Sequence, residues 1–236
     1  MQSRLYRTGW KLLDLLFPPQ CAGCGSWGKR YCPECFSRTQ LIQNPICQIC
    51  GDPLEPSENV ICGRCRTGPV SFTAVRSWGV FADPLQSAIH NLKYRQNRGL
   101  GEVLAQPLVG LLNRYRWGID LIIPVPLDKE RRRQRGYNQA ALLARPIAWE
   151  TGIRYAPEGL MRVRTTRAQV GLSMSERVEN MAGAFKAKSD VVSGRNILVI
   201  DDVITTGSTI NACANALINS GAEQVYGMTL ARSAHI

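Results

Sequence analysis

Eight cysteines near the start of the chain form four pairs of identical spacing, Cys-x-x-Cys, and they constrain the fold more than any other feature. Two residues between the cysteines let both sulfurs reach one tetrahedral ion from a tight turn, and two such pairs complete a site of four thiolates. The gaps between successive pairs are seven, eleven and eleven residues. The spacing therefore predicts two structural Zn²⁺ ions with the ligands Cys21, Cys24, Cys32, Cys35, Cys47, Cys50, Cys62 and Cys65.

Disulfides and a redox-active thiol pair are the alternatives to zinc. Disulfides are typical of secreted chains, but Asp14 interrupts the apolar run of residues 1–20, so this segment does not resemble a signal peptide. One Cys-x-x-Cys would suit a thioredoxin-like site, yet four pairs without a surrounding βαβ pattern favour metal. Joining the first pair to the second and the third to the fourth gives two tandem ribbons, and the spacing also allows a cross-braced arrangement.

Charge and hydropathy restrict the ligand and the location. Lys and Arg number 29 against 18 Asp and Glu, a formal net charge of +11, which two tetrathiolate zinc sites lower to about +7. Residues 71–236 hold 21 basic against 13 acidic residues, so we expect an anionic ligand there. No run of about 18 apolar residues occurs, so we expect no transmembrane segment and a cytoplasmic protein.

Composition and hydrophobic patterning divide the sequence into three predicted regions. Residues 1–20 indicate one short helix ended by Pro18 and Pro19, residues 21–68 a double zinc-ribbon module, and residues 71–236 an α/β domain. In the third region Val/Ile/Leu-rich segments alternate with helical patterns, which is typical of a mostly parallel sheet covered by helices. Strands are predicted over 73–81, 120–126, 195–203 and 224–233, and helices over 84–95, 101–116, 137–152 and 208–220.

The most informative motif begins with four apolar residues, Ile197 to Ile200, which predict a strand buried on both faces. Two carboxylates follow, Asp201 and Asp202, and then a hydroxyl-rich loop over 205–209 at a predicted helix start. Ligands bind at the carboxyl ends of strands in open α/β sheets, and backbone amides at a helix start favour phosphate. The carboxylates suit ribose hydroxyls or Mg²⁺. Together these parts predict a sugar-phosphate site.

Helix capping is the simpler interpretation of the same loop, but it explains only one of the hydroxyl groups. We also expect both carboxylates to face solvent at the end of the strand, where they would contribute little to the core. His90 and His235, the two histidines of the chain, suggest no general base, so no catalytic base is assigned.

Taken together, the motifs resemble a known family. ILVIDDVITTGST resembles the phosphoribosyl pyrophosphate (PRPP) motif of type I phosphoribosyltransferases. The cysteine pairs, LKYRQNRGL, IIPVPLDKERRRQRGYNQAALLA and RAQVGLSMSERVENMAGAF are similar to the ComF/GntX competence family. This resemblance spans nearly the whole chain. It implies a type I phosphoribosyltransferase-like domain behind the zinc ribbons, a role in natural competence, and Mg²⁺ bound with PRPP.

The resemblance also implies roles for individual residues. Asp201 and Asp202 would engage the ribose hydroxyls, directly or with Mg²⁺, and the 5-phosphate would lie on Thr205, Thr206, Gly207, Ser208 and Thr209. A loop for pyrophosphate would include Arg131, Arg132, Arg133 and Arg135, which would bind pyrophosphate or a nucleic-acid backbone; we expect at least two of these four to lie on a solvated face. A mobile region over the active site would include Arg164, Thr165, Gln169, Arg177 and Asn180.

Two functions are compatible with these motifs. The first is an enzyme, or former enzyme, that binds Mg²⁺-PRPP and acts during DNA uptake, with an acceptor that the sequence does not identify. The second is a non-catalytic adaptor that binds single-stranded DNA and works beside proteins of the DNA-uptake machinery, such as a channel or a helicase.

Overall fold

The computed structural model describes residues 14, 18–55, 60–164 and 183–233, and most of the helix predicted over 1–20 lies outside this part of the chain. The strands are β1 (Ala74–Val80), β2 (Leu121–Pro124), β3 (Arg154–Tyr155), β4 (Leu160–Arg162), β5 (Phe185–Ala187), β6 (Asn196–Ile204) and β7 (Gln224–Arg232). The helices are α1 (Pro33–Arg38), α2 (Gly63–Thr67), α3 (Leu85–Tyr94), α4 (Leu100–Tyr115), α5 (Lys129–Arg135), α6 (Gln139–Thr151), α7 (Ser189–Val192) and α8 (Ser208–Ile218).

Five strands form a wholly parallel sheet in the order β1-β7-β6-β2-β3. The chain leaves β2 toward β3 on one side and leaves β6 toward β7 on the other, so the order of the strands reverses between β2 and β6. Ligands in open α/β sheets bind at such a switch point, outside the carboxyl ends of the strands. The predicted α/β class with a mostly parallel sheet is confirmed, and each of the four predicted strands and four predicted helices is present.

Side chains of β6 alternate between two apolar layers, one on each face of the sheet. Ile197 and Val199 join a layer with α8 and the β4–β5 hairpin, while Leu198 and Ile200 join a layer with α3, α4 and α6. All four are fully buried, as expected for a parallel strand covered on both faces.

The cysteine-rich segments pack on opposite faces of this sheet. Tyr31 and Cys35 belong to the layer that contains α3 and α4, whereas Cys47 and Cys50 belong to the layer that contains α8. Their burial beside the sheet shows that neither segment is an appendage. Each contributes apolar surface to the core of the larger domain.

The chain around the cysteines also covers the outer edge of β1. The amide of Val80 donates to the carbonyl of Gln40 (2.8 Å), and the amide of Val75 donates to Ile49 (2.7 Å). Gly51 has a φ of +73°, and a Cβ atom there would lie 2.5 Å from the carbonyl oxygen of Val75, so this turn requires glycine. An otherwise open edge of the sheet is thereby hydrogen-bonded.

The segment expected to form the pyrophosphate loop, which contains Arg131, Arg132, Arg133 and Arg135, is partly helical. Residues Lys129–Arg135 form α5, whose first amides are capped by the Asp128 carboxylate, which accepts from the amide of Glu130 (3.0 Å). Basic residues occupy the last turn, and Gly136 ends the helix with a φ of +75°. The cap, the charge order and the glycine explain a helix that has no apolar stripe.

Candidate functional site

The eight paired cysteines form two separate clusters. Within each cluster the four sulfur atoms lie within 4.8 Å of one another, and the clusters consist of Cys21, Cys24, Cys32 and Cys35, and of Cys47, Cys50, Cys62 and Cys65. The first pair therefore joins the second and the third joins the fourth, which decides against the cross-braced arrangement.

The distances between sulfur atoms fit zinc and do not fit disulfides. They are 3.6 Å for Cys21–Cys35, 3.7 Å for Cys24–Cys32 and 3.7 Å for Cys50–Cys62. Four sulfurs placed about 2.3 Å from a tetrahedral ion are about 3.8 Å apart, whereas a disulfide needs about 2.0 Å. Two sites of four thiolates each are thus suited to structural zinc, with no coordination position left open.

Local backbone structure orients the sulfurs and favours their charged form. Cys32 begins α1, and its sulfur accepts from the amide of Cys35 (3.4 Å); the sulfur of Cys21 accepts from the amide of Cys32 (3.3 Å). Hydrogen bonds with the side chain and backbone of Ser26 lower the pKa of the Cys24 thiol to about 6. Amides directed at sulfur stabilise the thiolates that zinc requires.

A cleft of about 820 Å³ opens where the sheet order reverses. Its floor is formed by the carboxyl ends of β2 and β6, and its walls come from α3, α5 and the start of α8. Asp201 and Asp202 line it, together with Thr205, Gly207, Ser208 and Thr209. The sheet therefore brings the acidic pair and the hydroxyl-rich loop into one cavity.

The acidic pair is buried, and the expectation that both carboxylates face solvent is wrong. Asp201 is 9% exposed and Asp202 is 4% exposed. The amide of Asp202 donates to the Asp201 carboxylate (2.9 Å), and the side chain of Gln139 donates to the Asp202 carboxylate (3.2 Å). Strand β6 continues through both residues to Ile204, so both side chains belong to the buried part of the strand.

Lys93 provides the charge that lets one of the two carboxylates ionise. Its ammonium group forms an ion pair with Asp202, and this contact raises the pKa of Lys93 even though burial acts in the opposite direction. Burial alone would raise the pKa of Asp202, but Lys93 and Gln139 lower it. Burial and the adjacent Asp202 raise the pKa of Asp201 well above its usual value. Lys93 therefore favours the ionised form of Asp202, while burial and the neighbouring carboxylate disfavour ionisation of Asp201.

The loop over 205–209 turns from β6 into α8. Gly207 has a φ of +82°, and the Thr206 hydroxyl accepts from the amide of Ser208 (3.4 Å). Gly207 is the N-cap residue and has no side chain, so the Thr206 hydroxyl satisfies the first amide of the helix, while Thr205, Ser208 and Thr209 line the cleft. The first amides of a helix have no partner within it, which makes this end of α8 favourable for an anion.

The four arginines of α5 lie in different environments. Arg131 and Arg135 line the cleft, Arg132 lines a second cleft on the other side of the helix, and Arg132 and Arg133 are exposed. Arg135 donates to Gln139 (3.0 Å), which in turn donates to Asp202. Two of the arginines thus face the acidic pair across the cleft and two are solvated.

Of the residues in the expected mobile region, only Arg164 belongs to the described chain, where it is exposed just after β4. Thr165, Gln169, Arg177 and Asn180 lie outside the described residues.

The structure adds residues to the cleft that sequence patterns did not identify. Lys93 and Gln139 contact Asp202, and Arg162 lines the same cleft with its guanidinium 3.9 Å from Asp128. Lys93 lies in LKYRQNRGL, a stretch that was identified only by its similarity to the ComF/GntX family. Its separation of 109 positions from Asp202 leaves no local signal for this contact.

Two family models and several known proteins are similar to this chain. A family model described as a double zinc ribbon domain matches residues 12–66, and one described as a phosphoribosyl transferase domain matches residues 135–235. DNA utilization protein YhgH of Escherichia coli O6:H1 is 34% identical over 89% of this chain and 92% of its own length. Competence protein F of Haemophilus influenzae is 31% identical over 86% of this chain and 90% of its own length, and competence protein ComFC of Bacillus subtilis is 27% identical over 95% and 89%.

Among solved structures, the glutamine PRPP amidotransferase from B. subtilis complexed with ADP and GMP aligns with 58% of this chain and 26% of its own, at 24% identity and a TM-score of 0.37. Within the described residues, no helix combines the length and the apolar character needed to cross a bilayer. The sequence relatives and the two matched domains show that the chain belongs to the family of competence protein F and DNA utilization protein YhgH, in which a double zinc ribbon precedes a phosphoribosyltransferase domain.

Proposed function

We propose that this protein binds Mg²⁺-PRPP in the cleft between β2 and β6 and acts in natural competence, in the uptake and use of DNA. The observation that carries the proposal is the position of the acidic pair and the hydroxyl-rich loop in one cavity, at the point where the sheet order reverses. The names of the relatives, competence protein and DNA utilization protein, supply the biological context.

Each chemical group of PRPP has complementary residues in the cleft. Asp201 and Asp202 hold the ribose hydroxyls and Mg²⁺, and the loop over 205–209 receives the 5-phosphate at the start of α8. Arg131 and Arg135 face the pyrophosphate from α5. When bound, Mg²⁺ neutralises charge on the pyrophosphate oxygens, which favours its departure as a leaving group.

The residues of this cleft fit Mg²⁺ on chemical grounds. Two adjacent carboxylates are hard oxygen ligands of the kind Mg²⁺ prefers, and Mg²⁺ usually needs only one or two of them because substrate phosphates complete its shell. Lys93 already compensates the charge of Asp202 in the free site. A divalent cation beside Asp201 would favour the ionised form of this carboxyl group, whose pKa is raised by burial and by the adjacent Asp202.

Titration calorimetry with PRPP tests this proposal. Binding with a stoichiometry of one per chain is expected when Mg²⁺ is present, and much weaker binding when it is omitted. A screen of nucleobases and short single-stranded DNA for release of pyrophosphate then distinguishes an enzyme from a protein that only binds. Absence of any heat with Mg²⁺-PRPP would contradict the proposal.

Single-stranded DNA binding is the second candidate function, and α5 is the observation that favours it. This helix holds Lys129 and four arginines against one acidic residue, Glu130, and two of the arginines are exposed. Contacts of this kind hold a phosphate backbone without reading its sequence. In this role the protein would act as an adaptor beside the channel or helicase of the uptake machinery.

The salt dependence of DNA binding is expected to reveal these contacts. Fluorescence anisotropy with single-stranded DNA should show affinity that falls steeply with salt, because bound arginines release counterions from the backbone. Replacing Arg132→Ala together with Arg135→Ala removes two phosphate contacts, so the slope of log affinity against log salt should fall by about 1.4.

The matched control is Arg154→Ala with Arg195→Ala, two exposed arginines at the amino ends of β3 and β6, on the opposite edge of the sheet. These changes remove the same total charge and should leave the slope unchanged. Undetectable DNA binding, or an affinity that does not change with salt concentration, would contradict the proposed adaptor function. Complete competition by PRPP would show that α5 serves pyrophosphate alone.

A further inference from the structure

A second cleft of about 590 Å³ lies on the other side of α5. It is bounded by α5, by one side of α6, by β3 and by β4, and Arg162 lines both this cleft and the one described above. We call it the α5–α6 cleft. Its size is within the range of pockets that bind small molecules.

The charge of the α5–α6 cleft differs from that of its neighbour. Among the described residues, its lining holds five cations and no carboxylate; the cations are Arg98, Lys129, Arg132, Arg145 and Arg162. The neighbouring cleft contains Asp201 and Asp202, which suit a metal ion. A site whose charged lining residues are all cations suits an anion that needs no divalent metal.

Two of the arginines line the cleft from different helices, Arg132 from α5 and Arg145 from α6. The guanidinium of Arg145 lies 5.6 Å from the centre of the Tyr155 ring. Burial raises the pKa of Tyr155, and the charges of Arg145 and Arg132 act in the opposite direction. Each planar guanidinium offers paired donors that match the oxygens of a phosphate.

The rest of the lining is aromatic and apolar. Trp149 is half-buried on the side of α6 that faces the cleft, Tyr137 and Tyr155 provide further rings, and Pro146 and Leu160 complete the wall. Inorganic phosphate alone would use none of this surface. Aromatic rings beside arginines are the usual environment of a nucleobase joined to a phosphate.

We propose that the α5–α6 cleft binds a nucleoside 5′-monophosphate, with the phosphate on Arg132 and Arg145 and the base against Trp149 and Tyr155. Binding requires no Mg²⁺ and does not depend on the acidic pair. It therefore stands whether or not the neighbouring cleft binds PRPP.

Titration calorimetry with the four ribonucleoside 5′-monophosphates, without added Mg²⁺, tests the proposal. We expect one molecule bound per chain, with at least tenfold weaker binding of the unphosphorylated nucleosides and of inorganic phosphate. Arg145→Gln keeps a polar, unbranched side chain but removes the guanidinium charge, so it should weaken binding about tenfold. Trp149→Leu removes the ring and should weaken binding about as much.

Two control proteins locate the site. Arg154→Gln changes an exposed arginine on β3 that pairs with Glu158 outside the cleft, and it should bind like the unchanged protein. Asp201→Asn should also retain full binding. If Asp201→Asn abolishes binding, the nucleotide occupies the neighbouring cleft and the proposal is wrong. Absence of mononucleotide binding beside clear binding of a short single-stranded oligonucleotide would likewise overturn it.

Discussion

Removal of zinc is expected to unfold residues 21–65 first and then to lower the melting temperature of the remaining domain. Metal binding at a structural site contributes on the order of 10 kcal/mol of folding free energy, and the two ribbons have too little apolar surface to fold without it. Scanning calorimetry before and after treatment with a strong chelator measures both effects, and metal analysis of the untreated protein should give two zinc ions per chain.

The melting temperature of the larger domain should fall because the second ribbon, which contains Cys47 to Cys65, forms hydrogen bonds and an ion pair with β7. Arg232 is 1% exposed, and it donates to the Asp52 carboxylate (2.8 Å) and to the carbonyl of Cys50. Arg64 binds the other oxygen of Asp52 at 2.7 Å. Unfolding of the ribbon leaves the Arg232 charge buried without these partners, a change that typically costs about 3 to 5 kcal/mol.

Cysteine variants provide the control for zinc. Cys65→Ser removes one ligand of the second cluster and should lower the metal content toward one ion per chain, with a lower melting temperature. Cys213→Ala changes the ninth cysteine, which is a buried residue of α8 and belongs to neither cluster, and should leave two ions bound. A protein without zinc, or with four disulfides by mass spectrometry, would contradict this prediction.

Features with a local physical cause could be predicted from the sequence. The Cys-x-x-Cys pairs, the strand over Ile197–Ile200 and the turn at Gly207 each depend on residues that are neighbours in the chain. The sheet then places the end of β6 in a cleft because parallel strands share one carboxyl edge. Helix α5 could have been predicted too, since Asp128 and Gly136 are ordinary cap residues.

Features that depend on distant residues could not be predicted in this way. The ion pair of Lys93 with Asp202 and the contact of Arg232 with Asp52 join positions 109 and 180 apart. Neither pattern nor propensity carries such information, and the burial of the acidic pair likewise depends on the elements that pack around the end of β6. The packing of the two ribbons on opposite faces of the sheet also depends on the whole fold, as does the cover over the edge of β1.

The largest functional effect is expected from the acidic pair. Asp201→Asn with Asp202→Asn should reduce the affinity for Mg²⁺-PRPP at least a hundredfold, because amide groups replace both carboxylates in a site that must hold a divalent cation. Calorimetry under the conditions used for the unchanged protein measures this loss. Asp190→Asn, which alters an exposed aspartate of α7, is the matched control and should bind normally.

The two substitutions should affect stability differently, and this difference separates loss of binding from loss of fold. The pKa of Asp201 is raised in the folded protein, so its ionisation opposes folding, and this cost increases as the pH rises above the unfolded value of 3.8. Asp201→Asn should therefore leave the free energy of unfolding at pH 7 unchanged or increased. Asp202→Asn leaves the partly buried Lys93 ammonium without this partner and should lower that free energy by about 3 kcal/mol. Asp201→Asn alone is thus a folded protein in which binding can be measured, and unchanged PRPP affinity in it would show that the carboxylate does not hold the ligand.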